Sequence, residues 1–227
     1  MILVAGCSYT EPFHNVWPHY LFGDAHKNIA VSGASNQFIY YSVLKHIINL
    51  PKPDYVYVVT TGLHRISVPL SRSHDVKVGK NSIAQIPLPG LMTLETAGPM
   101  GFWNQELTDP YKSIVKELYW PLDKEYLSTQ GIIPLISLFS LLESYKIHYN
   151  WTSVYDYAHP QTGMHDNHSY GSIDVRNKLY SVLPWEKFIG PTPYEYGIIH
   201  DGFRDGVHLD EKTQIAWANE IRKTINI

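Results

Sequence analysis

Two short segments near opposite ends of this sequence carry residues that could act together as a nucleophilic site. Ser8 follows the apolar run Ile2–Ala5, and Asp205 and His208 form an Asp-x-x-His motif close to the carboxyl end. A serine hydroxyl is a weak nucleophile at neutral pH, so it needs a base within about 3 Å that a carboxylate holds in the correct tautomer. Because a spacing of three residues lets one turn present both acid and base, we predict a Ser8–His208–Asp205 site. Ester hydrolysis is the simplest reaction for such a site.

The same chemistry needs hydrogen-bond donors for the oxyanion of a tetrahedral intermediate. Backbone N–H groups at Ser8 and Gly33 fall in loops that follow predicted strands. The carboxyl ends of parallel strands meet at one edge of a sheet, so we expect these two loops to supply donors there. A loop glycine such as Gly33 is also used simply because it allows a positive φ.

The apolar periodicity predicts alternating strands and helices, as in an α/β domain with a parallel sheet. Short apolar, β-branched or aromatic runs predict strands at residues 2–5, 28–31, 54–61 and 147–154. Apolar residues at helical spacing predict helices at residues 38–48, 111–118, 123–145, 172–183 and 210–225. Asp210 is the expected N-cap of the last helix. The order of strands and helices implies right-handed parallel crossovers.

Length and composition favour a single domain over residues 1–227. A chain of 227 residues with 44% hydrophobic composition can bury one sizeable core. Residues 63–110 are rich in Pro, Gly, Ser and Thr without sustained periodicity, and they are too long for an ordinary connection. We predict an insertion there that acts as a lid or partner-binding loop, with Trp103 in the wall that would face an acceptor group.

Charge and cysteine content argue against several classes of function. The formal net charge of −3 and the 17% content of charged residues leave no cationic surface of the kind that tracks phosphates, so nucleic acid is not an expected partner. Cys7 is the only cysteine, which excludes an internal disulfide and a cysteine-built zinc site. The first twenty residues have no basic segment and no stretch reaches membrane-spanning length, so we expect a soluble protein without a signal peptide.

Four blocks of this sequence resemble the four ordered blocks of the SGNH (GDSL-like) hydrolase superfamily. They are Gly6-Cys7-Ser8, Gly33, Gly62-Leu63-His64-Arg65 and Asp205-Gly206-Val207-His208. The resemblance spans nearly the whole chain and implies a three-layer α/β/α sandwich with a parallel sheet, of the flavodoxin-like type. It also implies that Ser8 is the nucleophile, His208 the base and Asp205 its orienting acid. Members are mostly esterases and lipases, including carbohydrate deacetylases, so the expected substrate is a small acetyl-like ester, on a small molecule or a glycan.

The sequence departs from the family pattern at two positions. Cys7 replaces the usual aspartate but leaves the neighbouring serine in place. His64 replaces an asparagine that supplies an oxyanion donor in the family, and a histidine can donate only with a suitable tautomer and reach. Loss of one such donor costs about 10²–10³ in rate. The alternative to an esterase is therefore a catalytically impaired module of the same fold with a binding or structural role.

This compact sequence, with His64 in its third block, also resembles hydrolase-like proteins encoded by bacteriophages. That resemblance implies a cytoplasmic or virion-associated location. The candidate protein partners are therefore a virion component or a second copy of the chain.

Three other patterns are weaker candidates for a site. Asp156 and His159 form a second Asp-x-x-His motif, but it lies in a tyrosine-rich irregular stretch and not before a terminal helix. His159, His165, Asp166 and His168 are metal-ligating residue types, yet no helix fixes their spacing, so we favour a solvated loop and expect no metal site. The first strand and its loop carry neither glycine-rich phosphate motif, so we expect no nucleotide cofactor.

Overall fold

A parallel four-stranded sheet organises the part of the chain that the computed structural model describes, which is residues 1–12, 15–63, 65–69, 75–77, 83–85, 91–95, 124–154, 181–206 and 208–225. The strands are β1 (Ile2–Ala5), β2 (His26–Asn28), β3 (Tyr55–Thr60), β4 (Arg65–Pro69), β5 (Asp75–Lys77), β6 (Ile83–Gln85), β7 (Leu91–Glu95) and β8 (His148–Ser153). The main sheet has the order β2-β1-β3-β8, and each neighbouring pair is parallel. A sheet whose first strand lies second from the edge has the flavodoxin-like strand order.

Helices cover both faces of this sheet. They are α1 (Trp17–Phe22), α2 (Asn36–Asn49), α3 (Lys124–Ser144), α4 (Pro193–His200) and α5 (Glu211–Arg222). Helices α1 and α5 pack together through Trp17 and Trp217, whose ring centroids are 5.0 Å apart, and α2 packs beside α3. Among the described helices, none combines the length and the apolar character that a membrane crossing requires.

The buried position of β3 explains its continuous run of β-branched and aromatic residues. All six residues of β3 are buried, as in a parallel strand covered on both faces. On one face Trp17 of α1 packs against Tyr57 at 5.6 Å between ring centroids. Tyr57 pairs in register with Asn150, so Trp151 points to the opposite face, where Phe139 of α3 lies 5.4 Å from it. The predicted three-layer α/β/α sandwich with a parallel sheet is therefore confirmed.

The second strand begins two residues before the predicted range of 28–31. Its ladder with β1 continues past Asn28, because Ile29 N–H donates to the Val4 carbonyl at 2.8 Å. Val31 N–H then donates to the Gly6 carbonyl at 3.2 Å. The chain after β2 therefore stays beside the chain after β1 as both leave the sheet.

Short antiparallel pairs lie inside the predicted insertion, residues 63–110, where the sequence predicted no regular element. β4 pairs with β7, and β5 pairs with β6. Strands of three to five residues are too short to produce a sustained hydrophobic period, which is why the sequence did not reveal them. The lid or partner-binding role of the insertion stays a prediction, and Trp103 lies outside the described residues.

Two described helices were not predicted, and some predicted ones cannot be compared. Helix α1 has only six residues, and α4 has eight, so neither is long enough to show a sustained apolar periodicity. A capping box of Thr192 and Glu195 opens α4 and was the available sequence signal. The predicted helix at 111–118 and residues 172–180 of another lie outside the described residues, while residues 181–183 form a turn.

The buried imidazole of His46 predicts a pH dependence of stability. His46 lies in α2, and its Nε2 atom has no hydrogen-bond partner among the described residues. Burial, followed by the charge of Lys27, lowers the pKa of His46. An imidazole in the unfolded chain titrates near its ordinary pKa of about 6.5. The unfolded state therefore binds a proton below that pH before the folded state does, and stability falls as the pH drops toward the lowered pKa of the folded protein.

We expect the free energy of unfolding to decrease more between about pH 7.5 and about pH 5 in the wild type than in His46→Leu, which cannot titrate at this position. Urea denaturation at the two pH values measures the difference. His148→Gln, which removes an exposed histidine from β8, is the control for loss of an imidazole elsewhere in the fold. The same pH dependence in His46→Leu and the wild type would contradict the assignment.

Candidate active site

Ser8 lies in a tight turn directly after β1. The Cys7 carbonyl accepts hydrogen bonds from the N–H groups of Thr10 at 2.9 Å and Glu11 at 3.0 Å, which folds the chain back around Ser8. Cys7 itself is buried in the core, whereas Ser8 is partly exposed. Cys7 therefore has a packing role, and the serine hydroxyl remains accessible at the carboxyl edge of the sheet.

Asp205 and His208 lie on a short hairpin that leads into α5. Phe203 forms an antiparallel bridge with Leu209, and the Arg204 N–H donates to the His208 carbonyl at 2.9 Å. Gly206, at φ +82°, takes a left-handed conformation at the tip, which a glycine adopts without strain. The predicted N-cap of the last helix is confirmed two residues beyond the motif.

The three predicted residues meet in a hydrogen-bonded chain. His208 Nε2 lies 3.0 Å from Ser8 Oγ, and His208 Nδ1 lies 2.9 Å from Asp205 Oδ2. The His208 backbone N–H donates to the other carboxylate oxygen, Oδ1, at 2.7 Å. Because an ionised carboxylate only accepts, it selects the tautomer with the proton on Nδ1, which leaves Nε2 free to accept from the serine hydroxyl. Such an arrangement can remove a proton from the hydroxyl as it attacks.

Two neighbours restrain this chain from the sides. The Tyr9 ring packs against the His208 imidazole with centroids 4.9 Å apart. Arg204 Nε lies 3.5 Å from the same Asp205 oxygen that faces His208. Tyr9 limits rotation of the imidazole, and Arg204 places a positive charge beside the carboxylate that orients it. The Asp205 side chain is 46% exposed, so this surface ion pair alone contributes little to stability.

Gly33 lies in the loop that follows β2. The Ala34 N–H donates to the Val31 carbonyl at 3.1 Å and closes a turn that contains Gly33 at φ +75°. Val31 also donates to Gly6 in the serine loop, so the two loops leave the sheet side by side. The role of the Ser8 and Gly33 N–H groups as oxyanion donors stays a prediction, and His64 lies outside the described residues.

The sequence alone did not reveal Asn36, a buried amide that holds the loop after β3, residues 61–63. Its Oδ1 accepts from the Thr61 N–H at 2.9 Å, and its Nδ2 donates to the carbonyls of Thr61 at 3.0 Å and Gly131 at 3.2 Å. The side chain thus pairs with both backbone groups of Thr61, as a neighbouring strand would. Asn36 follows the helix cap Ser35 in the sequence, and an asparagine there is indistinguishable from an ordinary turn residue.

Gly131 of α3 presses against the backbone of the same loop, which predicts the effect of adding a methyl group. A Cβ at this position would clash with the carbonyl oxygen of Leu63. Helix propensity alone would make Gly131→Ala more stable by about 1 kcal/mol. Because the clash is with backbone atoms, no side-chain rotation relieves it. We expect the cost of overpacking, about 1–3 kcal/mol, to exceed the gain in helix propensity.

We therefore expect Gly131→Ala to lower the denaturation midpoint in urea. Ser140→Ala, an exposed position on the same helix, is the matched control and should change stability little. A Gly131→Ala variant more stable than the wild type would rule out the close contact between α3 and this loop.

The weaker sequence candidates for a site lie in residues 155–180. Asp156, His159, His165, Asp166 and His168 lie outside the described residues. Within the described ranges, no group of three or more His, Cys, Asp or Glu side chains could hold a metal ion.

Comparison with known proteins gives similarity of fold only. No protein-family model and no curated protein matches the sequence. Solved structures do match. The protein YXIM of Bacillus subtilis is 12% identical with a TM-score of 0.50, over 99% of this chain and 55% of that chain. A GDSL-like lipase of Bacteroides thetaiotaomicron is 14% identical with a TM-score of 0.46, over 99% and 88% of the two chains.

A member of the lipolytic protein G-D-S-L family from Veillonella parvula is 13% identical with a TM-score of 0.46, over 96% of this chain and 95% of that chain. At identities this low a shared fold does not carry function with it. The chemistry of this chain therefore has to be argued from its own side chains.

Proposed function

We propose that this chain is a serine esterase in which Ser8, His208 and Asp205 form the catalytic triad. One observation carries the proposal, namely the unbroken hydrogen-bonded chain from Asp205 through His208 to Ser8. Ser8 and His208 are 200 residues apart in the sequence, and their side chains meet at 3.0 Å at the carboxyl edge of the sheet. Hydroxyl, imidazole and carboxylate in this order are the groups that nucleophilic acyl transfer requires.

The proposed reaction has two steps, and in each step His208 takes up one proton and then gives it away. Ser8 Oγ attacks the acyl carbon while His208 Nε2 takes the hydroxyl proton, and the imidazolium then protonates the leaving alcohol. Water attacks the resulting acyl-enzyme, again giving a proton to His208, which returns it to Ser8 Oγ as the acid product leaves. Asp205 keeps the imidazole in the required tautomer and stabilises its charged form.

Stabilisation of the oxyanion is assigned to backbone N–H groups of Ser8 and Gly33, with His64 as the third donor. The first two follow adjacent strands and lie in neighbouring loops. An imidazole N–H at position 64 would replace the amide donor that the family pattern has there. A site with two good donors and one altered one should be active but slower, by up to about 10²–10³.

The proposed substrate is a small acyl ester, acetyl-like, on a carbohydrate. The support comes from the resemblance to carbohydrate deacetylases. The aromatic content of the chain adds little to it, because Trp17, Trp151 and Trp217 are buried in the core.

A panel of esters tests the proposal. The purified protein is assayed with p-nitrophenyl acetate, butyrate and octanoate and with an acetylated oligosaccharide, alongside Ser8→Ala. We expect hydrolysis to be fastest with acetate among the p-nitrophenyl esters and to require Ser8. A folded wild-type protein that hydrolyses none of these esters and does not react with a fluorophosphonate would contradict the proposal. That result would favour the alternative, a catalytically impaired binding or structural module, which is suggested by His64 in place of asparagine.

A further inference from the structure

The buried amide of Gln214 joins the two halves of the site and has no part in the reaction steps above. Gln214 lies on α5 and is 2% exposed. Its Oε1 accepts from the Val16 N–H at 2.8 Å, and its Nε2 donates to the Leu209 carbonyl at 3.0 Å. One side chain therefore connects backbone atoms of two segments that lie almost 200 residues apart.

Each of these backbone atoms is close to one member of the proposed triad. Leu209 directly follows His208. Val16 directly follows Asn15, whose Nδ2 donates to the Ser8 carbonyl at 2.6 Å and to the Glu11 carbonyl at 3.1 Å. Two buried amides, Asn15 and Gln214, thus form a polar path from the serine turn to the histidine hairpin that does not pass through the Ser8–His208 hydrogen bond.

Two other contacts between these segments are less directional. Trp17 and Trp217 pack edge to face with centroids 5.0 Å apart, and the Arg222 guanidinium reaches the Leu21 carbonyl only at 3.5 Å. Aromatic packing fixes how close α1 and α5 come, but it tolerates sliding that a pair of hydrogen bonds does not. The Gln214 amide therefore fixes the register between the two loops more tightly than these two contacts do.

We propose that Gln214 is a positioning residue that sets the distance between Ser8 Oγ and His208 Nε2. The inference rests on the proposed esterase function, but its geometry can be tested without an ester. A misplacement of about 1 Å between reacting groups costs about 10² in rate. Asp205 and His208 share one hairpin, so their mutual hydrogen bond should not depend on Gln214.

The principal variant is Gln214→Met, which keeps the length of the side chain and removes the amide. We expect kcat for p-nitrophenyl acetate to fall by about 10², with KM almost unchanged, because the contact of serine with histidine is disturbed and substrate binding is not. The low-field proton resonance of His208 Nδ1 should persist, because Asp205 is still in place. A merely structural role would instead lower the folded fraction and leave kcat per folded molecule unchanged.

A second readout does not depend on ester hydrolysis. In a Ser8→Cys background that also carries Cys7→Ala, contact with His208 keeps the new thiol partly ionised near pH 6, where an isolated thiol is about 0.3% thiolate. Alkylation by iodoacetamide at this pH should slow by about 10² when Gln214→Met is added. If the wild type hydrolyses no ester but this thiol result holds, the proposed function fails and the positioning role stands.

Asn150→Leu is the matched control, since it removes another amide that bridges two segments. Asn150 accepts from Tyr55 Oη at 2.8 Å and donates to the Lys187 carbonyl at 3.0 Å, away from the triad. It should lower stability without changing thiol reactivity or kcat per folded molecule. If Gln214→Met does not fold, Asn15→Leu interrupts the same path at the serine end and decides by the same readouts. A folded variant with thiol reactivity and kcat within about twofold of its parent would overturn the proposal.

Discussion

Ser8→Ala is expected to lower kcat for ester hydrolysis by about 10⁶, to a level set by binding and oxyanion stabilisation alone. The alanine keeps the turn, because the hydrogen bonds that fold it use backbone atoms of Cys7, Thr10 and Glu11. What is lost is the only side-chain oxygen that contacts His208 Nε2 among the described residues. Steady-state assays on p-nitrophenyl acetate measure the change, and Ser140→Ala, at an exposed position of α3, is the serine control.

Activity retained in a folded Ser8→Ala protein, even at a tenth of the wild-type rate, would mean that another group attacks the ester. Activity lost equally in Ser140→Ala would mean that the assay reports folding. Only loss confined to Ser8→Ala agrees with the proposed nucleophile.

Asp205→Asn has the second largest expected effect, a fall in kcat of about 10⁴. Asparagine retains an oxygen that can accept from the His208 backbone N–H, so the hairpin should keep its shape. Its amide, however, would place a donor where Oδ2 accepts from His208 Nδ1. The imidazole would then carry its proton on Nε2 and could not accept the proton of Ser8.

Asp210→Asn is the control for loss of a negative charge near the same loop. Asp210 caps α5 by accepting from the Thr213 N–H at 2.7 Å, and asparagine caps helices about as well. Kinetics should therefore separate the two aspartates, with a large fall in kcat for Asp205→Asn and almost none for Asp210→Asn. Equal effects of the two substitutions would point to net charge and away from tautomer control.

The parts of the site that follow from local sequence patterns could be predicted from the sequence. A buried parallel strand that ends in Gly-Cys-Ser places Ser8 at the edge of a sheet, and a glycine inside Asp-x-x-His allows the turn that joins Asp205 to His208. The choice of this motif over that at Asp156 depended on the capped helix after it, and that helix is present. Amphipathic helices and β-branched strands were visible for the same local reason.

The parts that depend on contacts between distant segments could not be predicted. Asn36 and Gln214 each bind the backbone of loops far away in sequence, and nothing in their own neighbourhood marks them as buried amides. The short strands β4 to β7 pair across loops and have no periodicity of their own. Side-chain type was enough to propose the groups that react, while the groups proposed to hold them in position required the tertiary structure.

The most direct test of the account is to treat the folded protein with a fluorophosphonate and to locate the adduct by intact-mass and peptide mass spectrometry. An activated serine oxygen attacks the phosphorus and fluoride leaves, so labelling reports the nucleophile independently of the natural ester. The account predicts one adduct, on Ser8, with a rate that falls strongly in His208→Ala and a site that is absent in Ser8→Ala. An adduct on a different serine, or labelling of Ser8 that is as fast without His208, would contradict it.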